Sequence, residues 1–95
     1  MHTLVYINHV DGSHSENVAV VKVEPFHSDI QALHIALNLT TNTEDNDWFN
    51  NVDDDRIDIN YSTHRGARST SVGDKAVIDR SGNSTSYILF AEGWI

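Results

Sequence analysis

The chain has 95 residues and a mass of 10.6 kDa, room for one domain and not for two. Fourteen Asp and Glu against six Lys and Arg give a formal charge of −8, which excludes a cationic surface and argues against direct nucleic-acid binding through phosphate neutralisation. With no Cys, disulfide frameworks, thiolate metal sites and thiol nucleophiles are excluded as well.

Residues 3–10 and 17–23 are rich in Val, Ile and Tyr, and the Asp11-Gly12 pair between them supplies turn chemistry, so a β-hairpin is predicted. In its second arm Ala19, Val21 and Val23 share the expected core face, while Val18, Val20, Lys22 and Glu24 share the other. Pro25 ends the ladder. Residues 28–39 form the predicted helix, with Ser28 as N-cap, Gln31 at capping-box spacing and Asp29 in the first turn. Winding it at about 100° per residue places Ile30, Ala32, Leu33, Ile35, Ala36, Leu37 and Leu39 on one broad apolar arc. The core is expected to run through Ile30, Leu33 and Leu37, and so wide an arc needs a second cover.

Residues 40–56 are polar and aperiodic, and predict a long acidic loop. A short half-buried strand follows at 57–61, then a polar bend at 62–71. Two further strands, 75–79 and 86–91, are expected around a connection spanning 80–85, and the apolar Trp94 and Ile95 are expected to tuck in. The order predicts a single α+β domain over 1–95: a mostly antiparallel sheet of about five strands covered by one helix.

The run Arg68-Ser69-Thr70-Ser71-Val72-Gly73-Asp74, followed by a valine-bearing strand, a Tyr-bearing strand and a Gly-Trp-Ile close, resembles the signature of the YodL-like family of small phage, plasmid and bacterial proteins. The resemblance covers residues 30–95 and includes the helix ending Ala36-Leu37-Asn38-Leu39-Thr40; the acidic loop and Lys75-Ala76 depart from the family pattern. It implies a fold and a mobile-element context, with host-cell cytoplasm as the compartment if phage-encoded, and carries no reaction. From the residues themselves, Gly73 is expected to permit a tight turn, Val72 to anchor it in the core, and Ser71 or Asp74 to satisfy backbone N–H groups. The alternative is that Arg65, Arg68, Ser69 and Ser71 present donors to an anionic partner.

No acid/base pair bedded in apolar sequence, Gly-x-Ser-x-Gly elbow, Walker loop or dinucleotide fingerprint is present, so no enzyme and no cofactor is expected. His9 and His14 flank the hairpin turn, but two imidazoles and Asp11 fall short of a zinc ligand set. The acidic loop lacks the Gly and terminal Glu of a calcium loop. What remains is recognition. Seven carboxylates and Arg56 give residues 44–58 a charge of −6, with two aromatics among them. Glu44, Asp45, Asp47, Trp48, Phe49, Asp53, Asp54 and Asp55 therefore form the expected surface for a protein partner with a basic face, as an inhibitor of a nucleic-acid-binding enzyme would need. The competing expectation is that Trp48 and Phe49 pin the loop onto Ile35 and Leu39 while the acids are merely solvated. A homodimer through the helix, or a small-ligand or metal-binding module, are the other functional classes; no basic leader or apolar span suggests a membrane, and a cytoplasmic protein is expected.

Overall fold

The computed structural model describes residues 3–43, 47–50, 54–61 and 68–95. Strands β1 (Thr3–Asp11), β2 (His14–Val23), β3 (Ile57–Ile59), β4 (Lys75–Arg80), β5 (Asn83–Phe90) and β6 (Gly93–Trp94) form one antiparallel sheet in the order β3-β2-β1-β4-β5-β6, and helix α1 (Asp29–Leu39) lies on one face. The expected α+β architecture is therefore present, with β6 as a sixth strand formed by Gly93 and Trp94.

Alternation decides the faces. Thr3, Val5, Ile7 and His9 of β1 are all buried, while the residues between them are half-buried on the opposite face. Val5 and Ile7 pair with Ile78 and Ala76 of β4 on one side and with Val21 and Ala19 of β2 on the other, which builds the core beneath the helix. A bulge between Ile7 and Asn8 puts Val18 and Ala19 together opposite Ile7, so both are fully buried. This corrects the expectation that Val18 lies on the outer face; strict period-2 counting does not survive an inserted residue.

Helix α1 starts as its sequence requires. The Ser28 hydroxyl accepts from the Gln31 N–H at 3.2 Å, and the Gln31 amide accepts from the Ser28 N–H at 2.9 Å. Asp29 does more than face the helix dipole: it accepts from Arg80 of β4 at 2.7 Å and from the Tyr87 hydroxyl of β5. Those two bonds hold its carboxyl below the usual range, and Arg80 also donates to the His27 carbonyl at 2.9 Å, lashing the helix entry to the sheet. Ala32, Leu33 and Ala36 are buried against the sheet, whereas Ile30 is 78% exposed. The expected core role of Ile30 is thus corrected: the first turn overhangs the sheet, and Leu37 is only half-buried.

Among the described residues, three hairpins turn over two residues, one of them joining β5 and β6 through Ala91-Glu92. β1 and β2 are joined through Gly12-Ser13, and β4 and β5 through Ser81-Gly82, with Arg80 paired to Asn83. The second connection is shorter than the expected span of 80–85, because Ser81 (φ 52°) and Gly82 (φ 91°) both take left-handed backbone, the pattern of a type I′ turn that matches strand twist. Trp94 packs against the core but Ile95 is 70% exposed, contrary to expectation. Its backbone pairs with Ile88, so the strand geometry turns its side chain outward.

The face of the sheet opposite α1 carries Leu4, Tyr6, Val20, Val77, Ile88 and Phe90, all half-buried or exposed. No described element packs over it.

Candidate partner-binding site

The 68–74 signature folds into an ionic knot. Asp74, 1% exposed, accepts two bonds from Arg68 at 2.7 and 2.8 Å, one from the Val10 N–H at 2.8 Å and one from the Ser71 N–H at 2.8 Å. Burial alone would raise its pKa, but the guanidinium and the two backbone donors overcome that and hold the carboxyl below its ordinary value. Arg68 is raised in turn, chiefly by its bonds to Asp74, with Asp11 3.6 Å away. The expected Asx-type role of Asp74 is therefore present and larger than a turn needs, since Val10 lies on β1. Gly73 has φ +98°, as the tight turn demands. Val72 does not anchor the turn: it is 62% exposed, because Asp74 does the anchoring.

Among the described donors proposed for an anionic partner, Arg68 is spent inside the molecule, and the two serine hydroxyls serve there as acceptors. Arg68 is committed to Asp74, the Ser71 hydroxyl accepts from Arg68 at 3.1 Å, and the Ser69 hydroxyl accepts from the Asn42 N–H at 2.7 Å. Arg65 lies outside the described residues.

Behind the knot runs a chain that sequence reading missed. His9 Nε2 and Thr70 Oγ1 are 3.0 Å apart, the Thr70 hydroxyl donates to Thr40 Oγ1 at 2.8 Å, and Thr40 donates to the Ala36 carbonyl at 2.8 Å. Because the Thr70 proton is engaged with Thr40, Nε2 must carry the imidazole proton and donate. Burial lowers the His9 pKa, against the opposing pull of Asp74, so the ring is held neutral. The alternation Val5, Ile7, His9 was the signal that His9 points into the core. His14 is exposed near Glu16, so the two histidines do not converge on one site, and no group of three or more ligand side chains is positioned for a metal among the described residues.

Trp48 locks the start of the acidic segment onto this framework. It is 1% exposed, its indole N–H donates to the Arg68 carbonyl at 2.8 Å, and its backbone N–H donates to the Asn42 side chain at 2.9 Å. Its ring meets His9 edge-on at 6.2 Å and Phe49 at 5.3 Å. Trp48 is therefore a buried anchor and not an exposed contact residue; the expected solvent-facing pair is corrected on this point. Phe49 is half-buried and stacks edge-on with Tyr61 at 5.2 Å, and Tyr61 is 52% exposed, a contact open to it because β3 ends at Ile59, short of the expected strand end at 61.

Of the expected acids, Asp47 and Asp55 are exposed. Asp54 is held by Arg56 through bonds of 2.8 and 3.0 Å, which lower its pKa. Glu44, Asp45 and Asp53 lie outside the described residues. Comparison with protein-family models, curated proteins and solved structures gives no match. No helix among the described residues is long and apolar enough to cross a membrane.

Proposed function

We propose that this is a non-enzymatic accessory protein that binds a protein partner through the acidic segment 47–58, in the mobile-element setting implied by the YodL-like signature. The observation that carries the reading is the burial of Trp48. Its two hydrogen bonds and aromatic contacts fasten Asp47 and Phe49 to the framework; Phe49 meets Tyr61 beyond one end of β3, while the exposed Asp55 precedes the other end. Exposed carboxylates together with a partly exposed aromatic pair favour a basic protein surface, with charge governing encounter and the aromatics governing residence. Such a surface suits inhibition of a nucleic-acid-binding enzyme by occupation of its basic groove.

The test is affinity capture from host lysate with the parent, an Asp47→Asn/Asp55→Asn variant and a Tyr61→Ala variant, followed by binding kinetics on whatever the parent retains. The acid variant should associate more slowly and lose its salt dependence; Tyr61→Ala should dissociate faster. Trp48→Ala should lower the melting temperature, since it removes a core side chain. Capture indifferent to both surface variants would remove this segment as the recognition site.

A further inference from the structure

The sheet face opposite α1 is an apolar surface without a cover among the described residues, and it carries both signs of charge. The chain's two lysines, Lys22 and Lys75, both lie on it by strand alternation, together with Asp58 and Asp79. In a chain of net −8 this face is balanced, two cations against two anions. A balanced face has no preference for the basic partner inferred for the acidic segment, but it does not repel its own copy.

Register gives the charges a sense. Tyr6 and Val77 are directly paired at the centre of the sheet, and on β4 Lys75 and Asp79 lie two residues to either side of Val77. A two-fold axis in the plane between two such sheets, running across the strands at Val77, carries the Lys75 end of one β4 onto the Asp79 end of the other. Lys22 is already within 4.0 Å of Asp58 in its own chain, whereas Lys75 has no ion-pair partner among the described residues. Size fits as well. The molecule measures 31 × 30 × 24 Å, with sheet and helix stacked, and a sheet face of that span offers roughly 800 Å², what each partner of a standard interface buries. On the helix side Ile30 and the neighbouring Phe26 are the most exposed apolar residues, and no Lys or Arg lies on α1 to pair with its acid in a second copy.

We propose that a second copy of this chain docks on the uncovered sheet face, with β4 crossing its counterpart at Val77 and Lys75 of each copy meeting Asp79 of the other. The product is a four-layer helix-sheet-sheet-helix dimer in which Tyr6, Val20, Val77 and Ile88 become core, the sheets packing about 10 Å apart as aligned sheets do. This inference is independent of the acidic segment, which stays at the outer edge beside β3.

Sedimentation equilibrium of the parent should give twice the 10.6 kDa chain mass. Lys75→Asp and Asp79→Lys should each weaken self-association by about tenfold or more, since each makes two like-charge contacts, and mixing the two variants should restore it, because the mixed dimer regains both pairs. Asp79 also accepts the Gly82 N–H at 2.9 Å. Should Asp79→Lys fail to fold, Val77→Arg carries the test: it should give a folded monomer with unchanged far-UV circular dichroism, while Ile30→Glu on the helix leaves the dimer intact. A parent that is monomeric up to the highest concentration reached, or a dimer that Val77→Arg leaves intact and Ile30→Glu dissolves, overturns the proposal. Failure of the mixed variants to reassociate overturns the Lys75–Asp79 register.

Discussion

Asp74 stands where three separately made parts of the chain converge: the β1 end through Val10, the 68–71 bend through Arg68 and Ser71, and the start of β4. A buried carboxylate with four donors is stable only as long as they are present, and removing it leaves two backbone N–H groups unsatisfied and takes from Arg68 its main partner. Asp74→Ala should cost about 3–5 kcal/mol in urea denaturation, as breaking a buried pair typically does. The same neighbourhood sets an acid limit. His9 has a lowered pKa in the folded state, so the unfolded chain binds its proton first and folding stability falls as pH drops through the ordinary value of 6.5. Asp29, Asp54 and Asp74 are also lowered, and their contributions are lost at lower pH, below their ordinary 3.8. His9→Gln should flatten the melting-temperature profile between neutral pH and pH 5 while leaving the steeper loss below pH 4 in place.

At the level of elements, the helix shows how far periodicity reaches. Its boundaries and capping box were legible because local chemistry fixes them; which part of its apolar arc is covered was not, because that depends on where the sheet ends beneath it. Leu33→Ala should cost about 2–5 kcal/mol, whereas Ile30→Ala should cost under about 0.5 kcal/mol, read by chemical denaturation. The hairpins offer a parallel lesson. Counting residues between apolar runs overestimated the second connection, since Asn83, Ser84 and Thr85 pair as strand despite their polarity. Ser81 holds a left-handed conformation that Asn adopts more readily, so Ser81→Asn should stabilise the domain by up to about 1 kcal/mol, seen as a higher melting temperature. Gly73→Val would act in the opposite direction through backbone strain, as the glycine holds φ +98° and a Cβ there meets no neighbour within 4 Å.

For the molecule as a whole, the fold class followed from the order of elements, but the recognition surface was only partly visible. Composition marked the acidic segment; it could not separate Trp48, which turns inward, from half-buried Phe49 and exposed Tyr61, because all three are aromatic residues in polar surroundings. Nor could spacing reveal that Arg68 is neutralised by Asp74 and not offered to a partner, since that pairing is made by the fold. The charge imbalance has a global effect too. Eight excess negative charges repel one another in the compact state, so raising salt from low ionic strength should raise the melting temperature, and the gain should shrink in an Asp47→Asn/Asp55→Asn variant.

The position of β1 bears on how the chain comes to its structure. Its partner β2 follows across a two-residue turn, but its other flank is filled by β4, with Val5 facing Ile78, and those residues are joined only after the helix and the acidic segment have been made. Until then the most buried strand of the finished sheet has one side of unpaired backbone groups, open to any passing extended chain. Contacts so distant in sequence make folding slow relative to local hairpin formation. The Val10–Asp74 bond closes this seam from the far end. Until β4 docks, the β1–β2 hairpin is therefore the part of the molecule most exposed to misassembly.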